Sequence, residues 1–419
     1  MKKRVTALTA LIVALLSLFG CAKTDGQDEQ PAEEAKNYCF DFQIRTSASF
    51  GGNYIIETDE AVYFLLNGFM YFGDKAGKGF MPLCARPDCL HKDADCSAYI
   101  DAVAFTVYGS YIYYLDGQEA SDKLRSDNET YDPSLWRMRL DGTAHEKVLQ
   151  LPVPEKTFMP SNIGWFFAFT NKYLLYSCSQ ANDRDRAFDL FSLDLDTLEQ
   201  KPVTAQWADF DLAWPALAAG RDEMLYCSIV DDTNYLTDGT RIRYLCGLDC
   251  STGELLKIGE IPDDVFFSEF CFYLDDDALY YTCWQPGDAE RRIFRCGLDD
   301  GESDFIAGSG PYSEGIWNQF DWQNGMLFKD YRGESDSLQK GFYYVDLNFE
   351  IADFHRYSEE ELAEFGKIMC FFQTENYLFG IGPDKYNTYG AQNGVPEWYI
   401  DKADIGTGNL TWKRWAPEE

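Results

Sequence analysis

The feature that most constrains the fold is a short pattern that recurs seven times: alternating apolar residues ending in an aspartate. The aspartates are Asp74, Asp141, Asp196, Asp249, Asp299, Asp346 and Asp401, at intervals of 67, 55, 53, 50, 47 and 55 residues. One residue before them stand Gly73, Leu140, Leu195, Leu248, Leu298, Val345 and Ile400; three before stand Tyr71, Met138, Leu193, Cys246, Cys296, Tyr343 and Trp398. An apolar residue at every second position reads as a strand with one buried face. Upstream of most copies lies a second, Tyr-rich apolar stretch, such as YIYYLDG from Tyr111, YLLYSC from Tyr173 and ALYYTCW from Ala278. Turn residues such as Gly109-Ser110 and Asp276-Asp277 precede these stretches, as they do between hairpin strands. After the aspartate a further turn, Asp141-Gly142 or Asp300-Gly301, leads into a short outer strand such as KVLQL. Four short antiparallel strands in about 50 residues make one propeller blade.

The expected fold is therefore an all-β propeller over residues 37–419, with seven blades favoured by the seven copies. Six or eight blades stay open, because closing a ring often borrows a strand from the other terminus. A pair of β-sandwiches is the competing fold, but it does not predict one register recurring seven times. The clearest helix signal is Ser358 to Phe365, where Ser358 caps and Glu361 occupies the capping-box position.

The N-terminus carries an address. Lys2, Lys3 and Arg4 precede an apolar run from Val5 to Leu18, which at 14 residues is shorter than the roughly 20 a spanning helix needs. Residues 1–20 read as a secretion signal. The segment Leu18-Phe19-Gly20-Cys21 resembles the lipobox of bacterial lipoproteins, which implies a lipidated Cys21 as the new N-terminus. The alternative is ordinary cleavage near Ala22, with Cys21 incidental. Residues 21–36, rich in acids and amides, read as a flexible acidic tether. The body is then expected at the cell membrane on its extracytoplasmic face, held through the N-terminal lipid.

Charge narrows the partners. With 70 acidic against 36 basic residues the formal net charge is -34, which argues against nucleic acid, whose phosphates are bound by Lys and Arg. The 46% hydrophobic and 16% aromatic content also argues against intrinsic disorder.

Phrases such as LWRMRLDGT and FRCGLDDG resemble the repeats of TolB-like propellers and of propeller lipoproteins of unknown function common in Firmicutes. The resemblance covers roughly residues 50 to 415 and implies a surface-exposed propeller lipoprotein. Fold analogy does not choose a function for it.

An insert at residues 84–96 follows the first repeat strand. Cys84, Cys89, His91 and Cys96 stand there as Cys-x4-Cys-x-His-x4-Cys, and three thiolates with one imidazole suit tetrahedral zinc. A structural zinc knot and a disulfide between two of the cysteines, natural outside the cytoplasm, carry equal weight. Reduced thiols, with Asp88, Asp93 and Asp95 hydrating the loop, are the third reading. Four saturated ligands leave no vacant position for catalysis. A similar cysteine-rich segment belongs to the lipoproteins just named.

Other chemistry is sparse. Cys246 and Cys296 share the register of Met138, Leu193 and Tyr343 and read as small core residues, while Cys178, Cys227 and Cys283 recur near the end of the Tyr-rich strand. His145 and His355 read as surface residues. No nucleophile elbow, zinc-hydrolase pair or phosphate loop occurs. Asp194 and Asp196 in SLDLDTL lack the central glycine and distal glutamate of a calcium loop, so the repeat aspartates read as turn formers. Trp165, Trp207, Trp214, Trp284, Trp317 and Trp322 lie outside the repeat register, as blade core or as stacking platforms for sugars. The expected function is a non-enzymatic, lipid-anchored binding module for a protein, peptide or glycan. A polysaccharide-active enzyme and an envelope-assembly scaffold are the alternatives.

Overall fold

The computed structural model describes residues 55–75, 79–92, 95–116, 134–151, 163–170, 172–180, 190–205, 216–221, 223–235, 241–261, 266–274, 277–284, 292–308, 319–322, 325–330, 341–346, 351–365, 368–374, 376–381 and 395–415. The chain divides into two units, Met1–Lys36 and Asn37–Glu419. All described residues belong to the second. Cys21, the signal segment and the tether lie outside them, as do Trp207, Trp214 and Trp317.

The described residues are mostly β. They form seven sheets, each an antiparallel meander in chain order, at 55–82, 102–150, 163–202, 216–261, 266–308, 319–356 and 369–414. Six have four strands; the fourth gains a fifth, Thr204–Ala205, which runs parallel to its outer strand Glu254–Ile261. Between the sixth and seventh sheets lies the helix Glu359–Phe365. Its start is a reciprocal capping box: Glu361 N–H donates to Ser358 Oγ, and Ser358 N–H donates to Glu361 Oε2.

Register corrects the repeat alignment. The first residue of each second strand pairs with Asp74, Arg139, Asp194, Asp249, Gly297, Asp346 and Asp401 in turn. Asp141, Asp196 and Asp299 therefore lie two residues beyond the equivalent position, already in the turn. In the true register the residues one step earlier include Met138, Leu193, Leu248, Cys296 and Ile400, all buried. Three steps earlier stand Tyr71, Trp136, Phe191, Cys246, Phe294, Tyr343 and Trp398, aromatic in every sheet but the fourth. In five sheets this row faces a second aromatic across the strand pair: Phe64↔Tyr71, Tyr114↔Trp136, Tyr176↔Phe191, Tyr281↔Phe294 and Phe328↔Tyr343. The fourth sheet places Cys227 opposite Cys246. Both thiols are free and buried, so Cys246 is a core residue of the aromatic row, not of the row that holds Met138, Leu193 and Cys296.

Burial falls from the inner to the outer strands of the first and second sheets. In the first sheet Ala61–Leu66 is buried along almost its whole length, Phe69–Asp74 on one side, and Phe80–Pro82 is largely at the surface. A strand flanked on both faces by neighbouring sheets needs a continuous apolar run, and the Tyr-rich stretches supply it.

Apolar cores join consecutive sheets: Tyr63 and Leu65 share one with Phe105 and Tyr114, Leu115 with Leu174, Leu175 with Leu225, and Leu245 with Leu279. The last sheet shares a core with the first, where Val62 and Phe64 pack with Phe379, Ile381 and Trp415. Hydrogen bonds reinforce that junction: Asn376 donates N–H and Nδ2–H to the Glu57 carboxylate at 3.1 and 2.9 Å, and Gly79 N–H donates to the Trp415 carbonyl at 3.1 Å. Neither sheet borrows a strand from the other among the described residues.

Turn glycines set how closely sheets approach. Gly301 has φ +69 and follows the third strand of the fifth sheet. A Cβ there would run into the Ile258 carbonyl, on the outer strand of the preceding sheet. Gly253 stands in the same way against Pro202, and Gly142 against Leu83.

Candidate metal centre

The insert leaves the outer strand Phe80–Pro82 and returns to the strand Ala102–Tyr108, and both its ends are tied to one place. Leu83 N–H donates to the Met70 carbonyl, and Met70 N–H donates to the Ala98 carbonyl, each at 2.8 Å. Leu83, Ala98 and Ile100 are buried there, beneath Gly142 of the second sheet. The base is thus fixed, and the loop rises to Leu90, which is 77% exposed.

Local chemistry bends the loop back on itself. Arg86-Pro87-Asp88-Cys89 closes a β-turn through Cys89 N–H to the Arg86 carbonyl, with proline at the position that favours its fixed φ. His91 adopts φ +53, the left-handed region that histidine enters more readily than most residues. These two reversals gather four ligand atoms. The sulfurs of Cys84, Cys89 and Cys96 and a ring nitrogen of His91 all lie within 4.8 Å of one another. His91 Nδ1 is 3.4 Å from Cys96 Sγ. Zinc bonded at about 2.3 Å to sulfur and about 2.0 Å to nitrogen sets tetrahedral edges of roughly 3.5–3.8 Å, so the cluster fits such an ion with small side-chain adjustments.

The electrostatics are those of sulfurs crowded together. Burial opposes ionisation of Cys84, but hydrogen bonds with Ser97, with the backbone at Arg86 and with Cys96 and Cys89 outweigh it and take the thiol down to about 5. Cys96 is pushed up to about 11, first by burial and then by the neighbouring sulfurs. One sulfur holds negative charge and the next resists it. A bound cation would relieve that conflict. Cys84, Cys89 and Cys96 are unlinked in the structure.

The structure thus brings all four sequence-selected residues together. Among the described residues they form the group of His, Cys, Asp and Glu whose ligand atoms converge. Sequence reasoning missed Arg86 and Ser97. Arg86 Nη2 donates to Cys89 Sγ at 3.4 Å and also to the Asp95 carbonyl; Ser97 Oγ donates to Cys84 Sγ at 3.1 Å. Arg86 lies inside the insert and Ser97 directly after it, but no spacing rule marks a hydrogen-bond donor to sulfur. Asp88 and Asp95 are exposed, and Asp93 lies outside the described residues.

Elsewhere the candidate groups serve the fold. His145 is exposed, held by Nε2–H to the Gly142 carbonyl at 3.1 Å and by Nδ1 to the Tyr114 hydroxyl at 3.2 Å. His355 pairs with Glu361 at 2.9 Å. Both make fold contacts; His145 lies at the surface as the sequence suggests, and His355 is half-buried. Asp194 accepts the N–H groups of Asp196 and Thr197, while Asp196 accepts the Tyr108 hydroxyl of the preceding sheet. Asp249 and Asp401 likewise accept N–H groups of their own turns. Trp165, Trp284 and Trp322 stand on strands of the third, fifth and sixth sheets.

No family model matches the chain, and no curated protein matches its sequence. Among solved structures it is similar to an oligogalacturonate lyase in complex with manganese, at 12% identity and TM-score 0.43, covering 85% of this chain and 96% of that one. It is also similar to dipeptidyl peptidase 4 of Porphyromonas gingivalis, at 10% identity and TM-score 0.42, covering 90% of this chain and 53% of that one. TolB of Acinetobacter baumannii shares 11% identity at TM-score 0.30, over 75% of this chain and 62% of that one. The chain thus spans about half of the peptidase and under two thirds of that TolB. No activity, ligand or residue role is carried over from these likenesses.

Proposed function

We propose that this chain is a seven-bladed, TolB-like β-propeller lipoprotein, anchored through lipidated Cys21 to the extracytoplasmic face of the cell membrane. In this reading it is a non-enzymatic module that binds a protein, peptide or glycan. Zinc held by Cys84, Cys89, His91 and Cys96 stiffens the loop between the first and second blades. The observation that carries it is the convergence of four ligand atoms within 4.8 Å on a loop whose two ends share one anchor. Three sulfurs and one imidazole fill a tetrahedron, which makes the metal a brace and not a Lewis acid with a vacant position. The shared core between the last and first sheets supports ring closure.

The test is metal and thiol analysis of the protein purified without oxygen, beside Cys89→Ser. The expected result is about one zinc per chain, lost in the variant. A metal-free protein whose loop cysteines are disulfide-bonded or free would overturn the zinc reading. Screens against envelope proteins and surface glycans test the binding role. Empty screens together with a hydrolase or lyase activity would overturn that part.

A further inference from the structure

Each of the three sulfurs accepts one hydrogen bond from a group that is not itself a ligand. Arg86 Nη2 donates to Cys89 Sγ at 3.4 Å, Ser97 Oγ to Cys84 Sγ at 3.1 Å, and Ala98 N–H to Cys96 Sγ at 3.4 Å. The three donors differ in kind, yet no sulfur is left out. The same Arg86 nitrogen reaches the Asp95 carbonyl, so one guanidinium bridges the Cys89 turn to the segment that leads into Cys96.

Charge gives this arrangement a purpose. A divalent cation with three thiolates and a neutral imidazole has a net charge of about minus one. The Arg86 guanidinium brings the assembly to neutrality, and its Nη2 group alone serves two acceptors. Hydrogen bonds from charged or polar donors draw electron density from sulfur, and it is this density that attacks electrophiles and oxidants. Exposure decides where such protection matters. Cys96 is 2% exposed, while Cys84 and Cys89 are only half-buried. The side-chain donors fall on the two accessible sulfurs, and the backbone donor falls on the inaccessible one.

We propose that Arg86 and Ser97 form an outer shell that holds the metal-bound sulfurs of Cys89 and Cys84 in place and suppresses their reaction with electrophiles. Arg86 is the positioning residue that also balances the charge. This rests on the zinc reading above and adds to it a specific partner for each exposed sulfur.

The experiment uses the full chain in detergent, loaded with zinc, freed of excess and treated with N-ethylmaleimide. A chromogenic chelator reports zinc release, and peptide mass spectrometry reports which cysteine is labelled first. Arg86→Leu should release zinc faster than wild type, with labelling led by Cys89, and weaken zinc binding about 10- to 100-fold. Ser97→Ala should shift first labelling to Cys84, and it carries the test if Arg86→Leu does not fold. Arg86→Lys, which keeps the charge but replaces the planar, rigidly placed donor with an ammonium on a flexible stem, should fall between wild type and leucine. Wild-type rates in both variants, or equal acceleration of every loop cysteine without positional preference, overturn the outer shell while leaving zinc in place. A wild-type protein that takes up no zinc overturns the zinc reading and this inference with it.

Discussion

Glu57 is the residue whose loss should be felt most at the junction of the first and last sheets. It is 9% exposed and its carboxylate takes the Lys75 ammonium at 2.6 Å and both donors of Asn376. Glu57→Gln keeps the shape but turns one acceptor oxygen into a donor that faces other donors. Losing one hydrogen bond to a charged, buried group costs about 1.5–3 kcal/mol. For a unit of 383 residues, from Asn37 to Glu419, the unfolding entropy is about 0.8 kcal/mol/K, so the expected drop in Tm is roughly 2–4 °C. Asn376→Ala should cost less, because Lys75 and the Asn376 N–H remain. The double variant should show a coupling of about 1 kcal/mol. Burial alone would raise the Glu57 pKa, but Lys75, Thr374 and Asn376 outweigh it and hold the group below its usual value of 4.5. A depressed carboxylate stabilises fully above the unfolded pKa, and that contribution is lost as pH falls through the folded one. The gap between wild type and Glu57→Gln should therefore be constant from pH 6 to 7 and shrink below about pH 4. Urea unfolding followed by tryptophan fluorescence measures it. Equal stabilities at pH 7, or a gap that does not shrink on acidification, would refute the reasoning.

Two further perturbations test the turns and the buried thiols. Gly301→Ala places a Cβ against the Ile258 carbonyl at φ +69 and should destabilise by about 2–4 kcal/mol. Leu198 occupies the corresponding turn position of the third sheet at φ +57 and is 40% exposed. Leu198→Gly should stabilise by about 0.5 kcal/mol, the relief of left-handed strain less the added chain entropy. Urea midpoints that moved in the same direction would contradict the assignment of these turns. Burial pushes the Cys246 thiol up to about 12, against a small opposing effect of Lys257, and burial likewise holds the Cys227 thiol well above its usual value. A raised thiol stays protonated until pH exceeds its pKa, so about one in ten thousand Cys246 groups is a thiolate at pH 8. Both should resist iodoacetamide in the native protein and react on unfolding; prompt native labelling at pH 8 would disprove their burial.

The repeat was readable because it is a local period, and strand and turn residues recur within each copy. Its register was not, because an aspartate can cap a turn from the end of a strand or from two residues further on. Asp194 caps its turn from the strand end, Asp141 caps from two residues beyond it, and Asp196, also two beyond, reaches Tyr108 instead. Once hydrogen bonds fix the alignment, Tyr71, Trp136, Phe191 and Phe294 fall into one row that the shifted reading had scattered. The converging Cys/His cluster was readable because all four residues lie within 13 positions and chemistry selects their types. Glu57 was not. It is one acid among 70, and its partner Asn376 is 319 residues away.

That distance sets the order in which the molecule can be made. The first sheet leaves the ribosome with Ile55, Val62, Phe64 and Leu66 directed toward neighbours that include Phe379, Ile381 and Trp415. At about 5–20 residues per second, roughly 20–70 seconds separate the synthesis of the two halves of this core. Contacts of such long range form late and slowly. A nascent chain therefore carries an uncovered apolar flank for most of its synthesis, and one cut short before Phe379 never covers it. Arrival of the seventh sheet is the event that covers this flank and takes it out of reach of chaperones and proteases.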